Sequence, residues 1–531
     1  MSFHLKFYVF AVCFLACTGT EPRSVEMPCQ PDQPAPYANG VAFLGVHANP
    51  ANNDVIHCET GSSFREAWHS LQGMGLTQPN TFSPDGATLY ATSSNPEPDG
   101  CRLWALDAAT GDVEWCQSHP DSISQGAVEV DSDGLLYFTA DADLISLTSS
   151  GEERWRVSFA DVYGEKDAPW GVHFTPDGHI STVTSSGVVY LVRRMDGEIL
   201  DSLSIPELWG FVAPASMHLQ LDLSPLLPGP VQDNIRRVWG DDAVSTAGAG
   251  FGALMGAGAF CDNTVGISDQ GDIYVIGGGP DETQGALVQV RVTGTSDAPI
   301  LTPGWYTATH AGSATSPSIS DGGRYVVIGD GASSDTFMNP ENVNARVKVM
   351  DIFACDANED SDPDPGRCAV AYEQSLERSP MVGAPAITED GVVYLWEFGL
   401  DLANTDSDRD IVAFGPDGLI WERALPDGLD WNSVMIVTDN HLIGTASVLV
   451  PSEYKLFAVT FPQYTEDFTV VVDRLTGELV WKGSQSDDGT ATTSIGPDGA
   501  LYTAMRGFLS TFSIDDRPTL GLVKFVPVET P

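Results

Sequence analysis

The chain has 531 residues, 42% of them hydrophobic and 18% charged, a profile that buries a core and excludes wholesale disorder. Lys and Arg number 25 against 73 Asp and Glu, a formal net charge of −48, which argues against nucleic-acid binding and polybasic membrane docking and leaves cations and basic partners open. The 53 glycines and 35 prolines favour many turns over long helices.

Residues 1–16 run from a short start carrying Lys6 into an apolar stretch, Phe7 to Ala16. That stretch is too short to span a bilayer and long enough for a signal-peptide core, so its removal is expected. Phe14-Leu15-Ala16-Cys17-Thr18 resembles the lipobox of bacterial lipoproteins, with Phe14 where the pattern usually has Leu. The resemblance implies a diacylated Cys17 and, without Asp at position 18, sorting to the outer membrane of a two-membrane bacterium. Ordinary secretion, with Cys17 a bystander, is the alternative. Residues 17–38 lack periodicity and read as a tether, and 39–531 as the folded body. No later segment offers about 18 uninterrupted apolar residues, so no transmembrane helix is expected.

A unit then recurs eight times: an apolar run, Asp-Gly or a relative at a turn, and an alternating run rich in Tyr and Val. The instances turn at Asp85-Gly86, Asp133-Gly134, Asp177-Gly178, Asp269-Gln270-Gly271, Asp321-Gly322, Asp390-Gly391, Asp439-Asn440 and Asp498-Gly499. Each sets Asp and Gly where a tight hairpin needs a capped turn or positive φ. Asp439-Asn440 is the weakest.

Two units continue into a sharp second hairpin, Ala105-Leu106-Asp107-Ala108-Ala109-Thr110-Gly111-Asp112-Val113-Glu114-Trp115 and Val471-Val472-Asp473-Arg474-Leu475-Thr476-Gly477-Glu478-Leu479-Val480-Trp481. Degraded copies carry Trp155 and Trp421, and a third has Asp201 where Trp would stand. This pattern resembles the docking motif of the pyrroloquinoline-quinone (PQQ)-like propeller repeat family. The resemblance covers most of the chain from about Pro79 to Phe525. It implies an all-β, eight-bladed β-propeller of four-stranded antiparallel blades, with seven blades if the Asp439 unit belongs to a neighbour. Trp115, Trp155, Trp421 and Trp481 are then expected to wedge between blades.

Val55 to Cys58 and Arg65 to Trp68, around Thr60-Gly61, read as one more outer hairpin that would complete the blade begun at the carboxyl end. The long step from Asp177 to Asp269 holds an insertion at about 202–260, with a glycine-rich run from Ala247 to Ala259, expected to loop over one face. That run fits neither dinucleotide- nor phosphate-binding spacing.

Removing Cys13 with the signal and Cys17 with the lipid leaves seven cysteines. Cys101 and Cys116 bracket a hairpin that brings their sulfurs together, Cys355 and Cys368 flank a short polar loop, and Cys29 with Cys58 would leave Cys261 over. No zinc, thioredoxin or c-haem spacing occurs. Within the Cys355 loop, Asp356, Asn358, Asp360 and Asp362 alternate oxygen ligands as Ca²⁺ requires, although Ser361 replaces the glycine of an EF-hand loop and a solvated acidic loop is the alternative. Asp401 to Asp410 is a weaker echo.

In quinoprotein dehydrogenases an adjacent-cysteine disulfide and a Trp sandwich the quinone. Here no two cysteines are adjacent, and no residue aligns with the Glu, Asn and Asp of that site. No catalytic residue or PQQ site is therefore expected, and no cofactor beyond Ca²⁺. The expected function is a non-catalytic, envelope-anchored propeller lipoprotein that binds proteins through the loops of one face. It would be monomeric and similar in role to the assembly-factor lipoprotein that helps insert outer-membrane barrels. The alternative is a periplasmic PQQ-dependent dehydrogenase oxidising an alcohol or sugar.

Overall fold

The Asp-Gly turns fold as their local chemistry dictates. Asp131 Oδ1 accepts from the backbone N–H groups of Asp133 and Leu135, and Asp85 Oδ1 from that of Ala87, so the side chain closes the bend that glycine then reverses. Strands on either side of each turn pair antiparallel and stack into sheets.

In this computed structural model, residues 28–528 are described except 77, 94–99, 119–126, 161–166, 214–226, 240–259, 262, 311–314, 331–345, 356–365, 377–380, 383, 399–410, 457–458, 486, 488–492 and 516–517. They form an eight-bladed propeller. Blade 1 occupies 81–118, blade 2 129–158, blade 3 169–204, blade 4 266–310, blade 5 318–375, blade 6 381–423, blade 7 430–485 and blade 8 493–527 with Phe64–Ser70 as its outermost strand. The weak Asp439 unit is a blade of its own, which decides for eight over seven.

Ring closure differs from the sequence expectation in one respect. Phe64–Ser70 does complete the carboxyl-terminal blade, pairing antiparallel with Gly521–Pro527. Val55–Ile56, however, is not its hairpin partner: it pairs parallel with Ile436–Thr438 on the inside of blade 7. The chain between them is held away from a hairpin because Cys58 O accepts from Asp439 N–H and Thr60 bonds Asn440 and His441.

Neighbouring blades are locked by tryptophan against glycine. A Cβ on Gly111, Gly197 or Gly477 would stand 2.8, 2.7 or 3.0 Å from Trp68, Trp155 or Trp421 of the preceding blade, and one on Gly151 3.2 Å from Trp115. Trp481 packs instead on Phe525 and Phe64 of blade 8, at centroid distances of 5.3 and 5.1 Å. In four blades the Tyr after the Asp-Gly turn is the ring's partner within its own blade: Tyr90–Trp115, Tyr137–Trp155, Tyr394–Trp421 and Tyr502–Trp68. At Asp201, where Trp is missing, the carboxylate accepts from the Leu301 N–H of blade 4 at 2.7 Å, replacing an aromatic wedge by a hydrogen bond. The proposed insertion begins inside the blade, because 202–204 belongs to the outer strand Ile199–Ser204.

Candidate functional site

The innermost strands surround an axis that the chain fills with its own amino-terminal segment. Residues 41–57 enter from the end where the first and second strands of each blade turn, and where the third and fourth turn, here called the turn face. The N–H groups of Ile267, Ile319, Ile387 and Val437, at the inner-strand ends of blades 4 to 7, donate to the carbonyls of Pro50, Ala51, Asn53 and Asp54 at 2.8, 2.8, 3.2 and 2.8 Å. Ser132 N–H of blade 2 donates to Pro36 O, and Phe174 N–H of blade 3 to the Tyr37 hydroxyl. Six blades thus satisfy backbone donors on the amino-terminal segment, five from inner strands and blade 2 from the turn that follows its inner strand, which is the demand that buried backbone imposes. Asn52 and Asp54 hold φ of 53° and 55°, a region Asn and Asp tolerate, and this fans successive carbonyls towards different blades. Cys29–Cys58 ties the base of the segment.

The tip of this plug is Gly45-Val46. A Cβ on Gly45 would meet Glu129 Oε1 at 2.0 Å, and Val46 lies beside Gly171 of blade 3. Two histidine–carboxylate pairs surround it. His47 Nδ1 is 2.8 Å from Asp54 Oδ2, both in the plug. His173 Nδ1 lies 2.9 Å from Glu129 Oε1 in the wall, within ion-pair distance. Asn52 of the plug ties the wall pair to blade 4, donating through Nδ2 to Val265 O and accepting at Oδ1 from His173 Nε2 at 2.9 Å. Burial raises the Glu129 carboxyl above the usual range, with His173 acting in the opposite direction, and burial followed by Glu129 holds the Tyr37 hydroxyl well above its ordinary value. No side chain of the two pairs is more than 4% exposed, so they act as clamps on the plug with no approach for a substrate.

A cavity of about 350 Å³ remains at the turn face between the plug and blades 3 to 5, lined by Tyr37, Phe174, Pro176 and Ile267 with Asp269 and Asp321 at its rim. His57 borders it, with Nε2 2.7 Å from Asp321 Oδ2 and Nδ1 3.7 Å from Asp439 Oδ1. The Asp321 hydrogen bond, outweighing partial burial, raises the imidazole above its ordinary value. His57 therefore bridges the turns of blades 5 and 7.

At the opposite end, the loop face, the helix Gly229–Trp239 from between blades 3 and 4 buries Val231, Ile235 and Val238. Its Asn234 donates to Ser513 O of blade 8, so this excursion reaches across the ring. The middle strands of blade 7, His441–Leu456 and Val459–Asp473, run past their blade as a ribbon whose Pro462 O accepts from Ile514 N–H, and Phe461 packs on Phe512.

Of the residues singled out in the sequence, Trp115, Trp155, Trp421 and Trp481 lie between blades. Cys101–Cys116 and Cys355–Cys368 are bonded, and Cys261, outside the three disulfides, is buried with Sγ donating to Ile276 O. Cys17, Asp356, Asn358, Asp360, Asp362 and the Asp401–Asp410 stretch lie outside the described residues. The plug was missed. Its signal was Val41-Ala42-Phe43-Leu44 between Gly40 and Gly45, followed by Asn49 and Asn52-Asn53-Asp54, an apolar run and a polar run that fit no repeat.

No protein-family model matches the chain, and no curated protein matches it. Among solved structures it is similar to a quinohaemoprotein alcohol dehydrogenase from Comamonas testosteroni, at 12% identity over 94% of this chain and 82% of that one, with a TM-score of 0.53. It is also similar to the Dos1 propeller, at 11% identity over 89% and 98% with a TM-score of 0.50, and to a europium-containing methanol dehydrogenase, at 13% identity over 92% and 98% with a TM-score of 0.50. At these identities the likeness shows the propeller fold, which such different proteins share.

Proposed function

We propose that this chain is a non-catalytic propeller lipoprotein of the bacterial envelope that works as a protein-binding or scaffolding module, made with a signal peptide over residues 1–16 and anchored through Cys17. One observation carries the reading: the axis, where a propeller has room for a cofactor, is filled from the turn face by residues 41–57 of the same chain. A quinone on the axis would have to expel Gly45-Val46 and set its own carboxylates beside Glu129, so the residues present do not fit it. What remains for function is the periphery, and on the loop face the blade 7 ribbon presents Tyr454 and Tyr464, both exposed, as aromatic anchors for a protein partner.

The test is a titration of the soluble chain from Thr18 onward with PQQ and Ca²⁺, watching tryptophan fluorescence. A flat response is expected. Saturable quenching that needs both components would overturn the reading in favour of a dehydrogenase. Anchoring is checked separately: Cys17→Ser is expected to move the protein from the membrane to the soluble fraction.

A further inference from the structure

The three most exposed large apolar side chains among the described residues are Leu475 at 80%, Phe353 at 70% and Met195 at 58%. All three stand at the same place in the repeat, the hairpin joining the third and fourth strands, in blades 7, 5 and 3. The blades between them do the same: Ile300 of blade 4 and Leu419 of blade 6, 53% and 52% exposed, lie at the ends of their own third-to-fourth-strand hairpins. Five consecutive blades thus present apolar side chains at this hairpin along one arc of the turn face, blade 6 through Ile420 at 54% as well as Leu419. Blade 1 carries a smaller member, Val113 at 46%, at the start of its fourth strand; blade 2 closes this hairpin with Ser149-Ser150 and has no exposed large aliphatic among the described residues, and blade 8 takes its outer strand from the amino-terminal segment.

The charge around this crescent is one-sided. The Asp of the first-to-second-strand turn lies on the same face in every blade, and Asp177, Asp269, Asp390 and Asp439 are exposed beside the arc. The arginines there are already used: Arg193 pairs with Asp196 and Glu198, Arg194 with Asp131, and Arg324 with Asp351. Arg474, beside Leu475, is spent on the Tyr394 hydroxyl and Thr438 O, and Arg154 on Tyr137, Ser146 and Met195 O. Exposed carboxylates therefore dominate the arc, and an apolar surface framed by Lys and Arg would find both its greasy contacts and its counter-charges there. The same field opposes self-association through this face and opposes an anionic bilayer.

We infer that the crescent Met195–Ile300–Phe353–Leu419–Leu475 is a docking surface for a basic protein partner whose apolar residues are bordered by Lys and Arg. It rests on the binding-module reading and adds to it a second face and a class of partner.

The probe is a fluorescein-labelled amphipathic Leu/Lys helical peptide, with a Ser/Lys twin that removes the apolar face and a Leu/Glu twin that reverses the charge. Anisotropy titrations are made on the chain from Thr18 onward and on its Met195→Ser, Phe353→Ser, Leu475→Ser triple variant. These side chains are exposed, so the variant is expected to melt as the parent does. The Leu/Lys peptide should bind the parent at least about tenfold more tightly than either twin, and that preference should vanish in the triple variant. Equal binding of the Leu/Lys and Ser/Lys peptides, or an unchanged preference in the variant, would overturn the inference. So would flotation of the chain, lacking its lipid, with phosphatidylethanolamine/phosphatidylglycerol vesicles in a manner abolished by the triple substitution, which would make the crescent a membrane contact. The quinone titration fails or succeeds independently of these outcomes, so a dehydrogenase and a misassigned docking face give different patterns.

Discussion

Gly45 shows how far a single hydrogen atom can matter on this axis. Its missing side chain is the space that Glu129 Oε1 occupies, so Gly45→Ala forces either the carboxylate or the plug to move. Overpacking of this kind costs about 1–3 kcal/mol, to be read as a lowered midpoint in chemical denaturation. His57 acts at the rim of the same plug. Its partners Asp321 and Asp439 belong to blades 5 and 7, and its pKa is raised in the folded state. A raised folded pKa means that the latch is fully present below the unfolded value, near 6.5, and is lost as pH climbs through the folded value. Asp321→Asn, which keeps an acceptor for Asn53 Nδ2 but removes the charge, should bring the His57 titration followed by NMR back towards its ordinary value. Protease cleavage within residues 28–57 should quicken with alkaline pH in the parent; if it does not, the latch has no part in seating the plug.

Two elements close the ring, and they can be removed in turn. A chain beginning at residue 63 keeps Phe64–Ser70 and should still form a closed, monomeric propeller, but with backbone donors of six blades stripped of their partners it should melt well below the parent. One beginning at residue 72 leaves Gly521–Pro527 as an open edge and should aggregate on size exclusion. Equal melting of the first truncation and the parent would show that the plug is decoration. The tryptophan wedges should be costly as well: Trp421, 7% exposed and seated on Gly477, should lose about 3–5 kcal/mol on mutation to Ala. These contrasts follow what could be read in the sequence. The Asp-Gly turns and the tryptophan wedges were legible because their chemistry is local or repeats with the blade; the glycine seats under the wedges lie on the neighbouring blade and were not. Asp201 marked a missing wedge, but its hydrogen bond to Leu301 N–H lies 100 residues away and leaves no spacing to read. The pairing of Val55–Ile56 with Ile436–Thr438 has the same difficulty over a larger gap. The plug was the least legible part, since blades hold it through carbonyls that every residue possesses.

At the scale of the whole molecule, one repeat explains both the solubility and the one-sidedness of the charge. Each copy contributes an Asp to the same end of the ring, so the closure of eight copies gathers them on one face, as Asp85, Asp133, Asp177, Asp269, Asp390 and Asp498 show by their exposure. With 73 acidic against 25 basic residues, this crowding opposes the closed ring. Added salt shortens the Debye length from about 30 Å at 0.01 M to about 3 Å at 1 M, which relieves the repulsion between turns. It also weakens exposed pairs such as Arg156 with Asp143 and Glu153, but pairs of that kind contribute about 0–1 kcal/mol each and are outnumbered by unpaired carboxylates. The melting temperature should therefore rise with NaCl. Binding of the Leu/Lys peptide draws on the same field with the opposite sign, because salt screens an attraction there, so its affinity should fall over the same range. Thermal melts and anisotropy titrations along one NaCl series would read both slopes. If both rose, the peptide would be held by apolar contact alone and the acidic turns would have no share in choosing the partner; if both fell, ion pairs would be holding the ring together and the excess of carboxylates would not be what limits its stability.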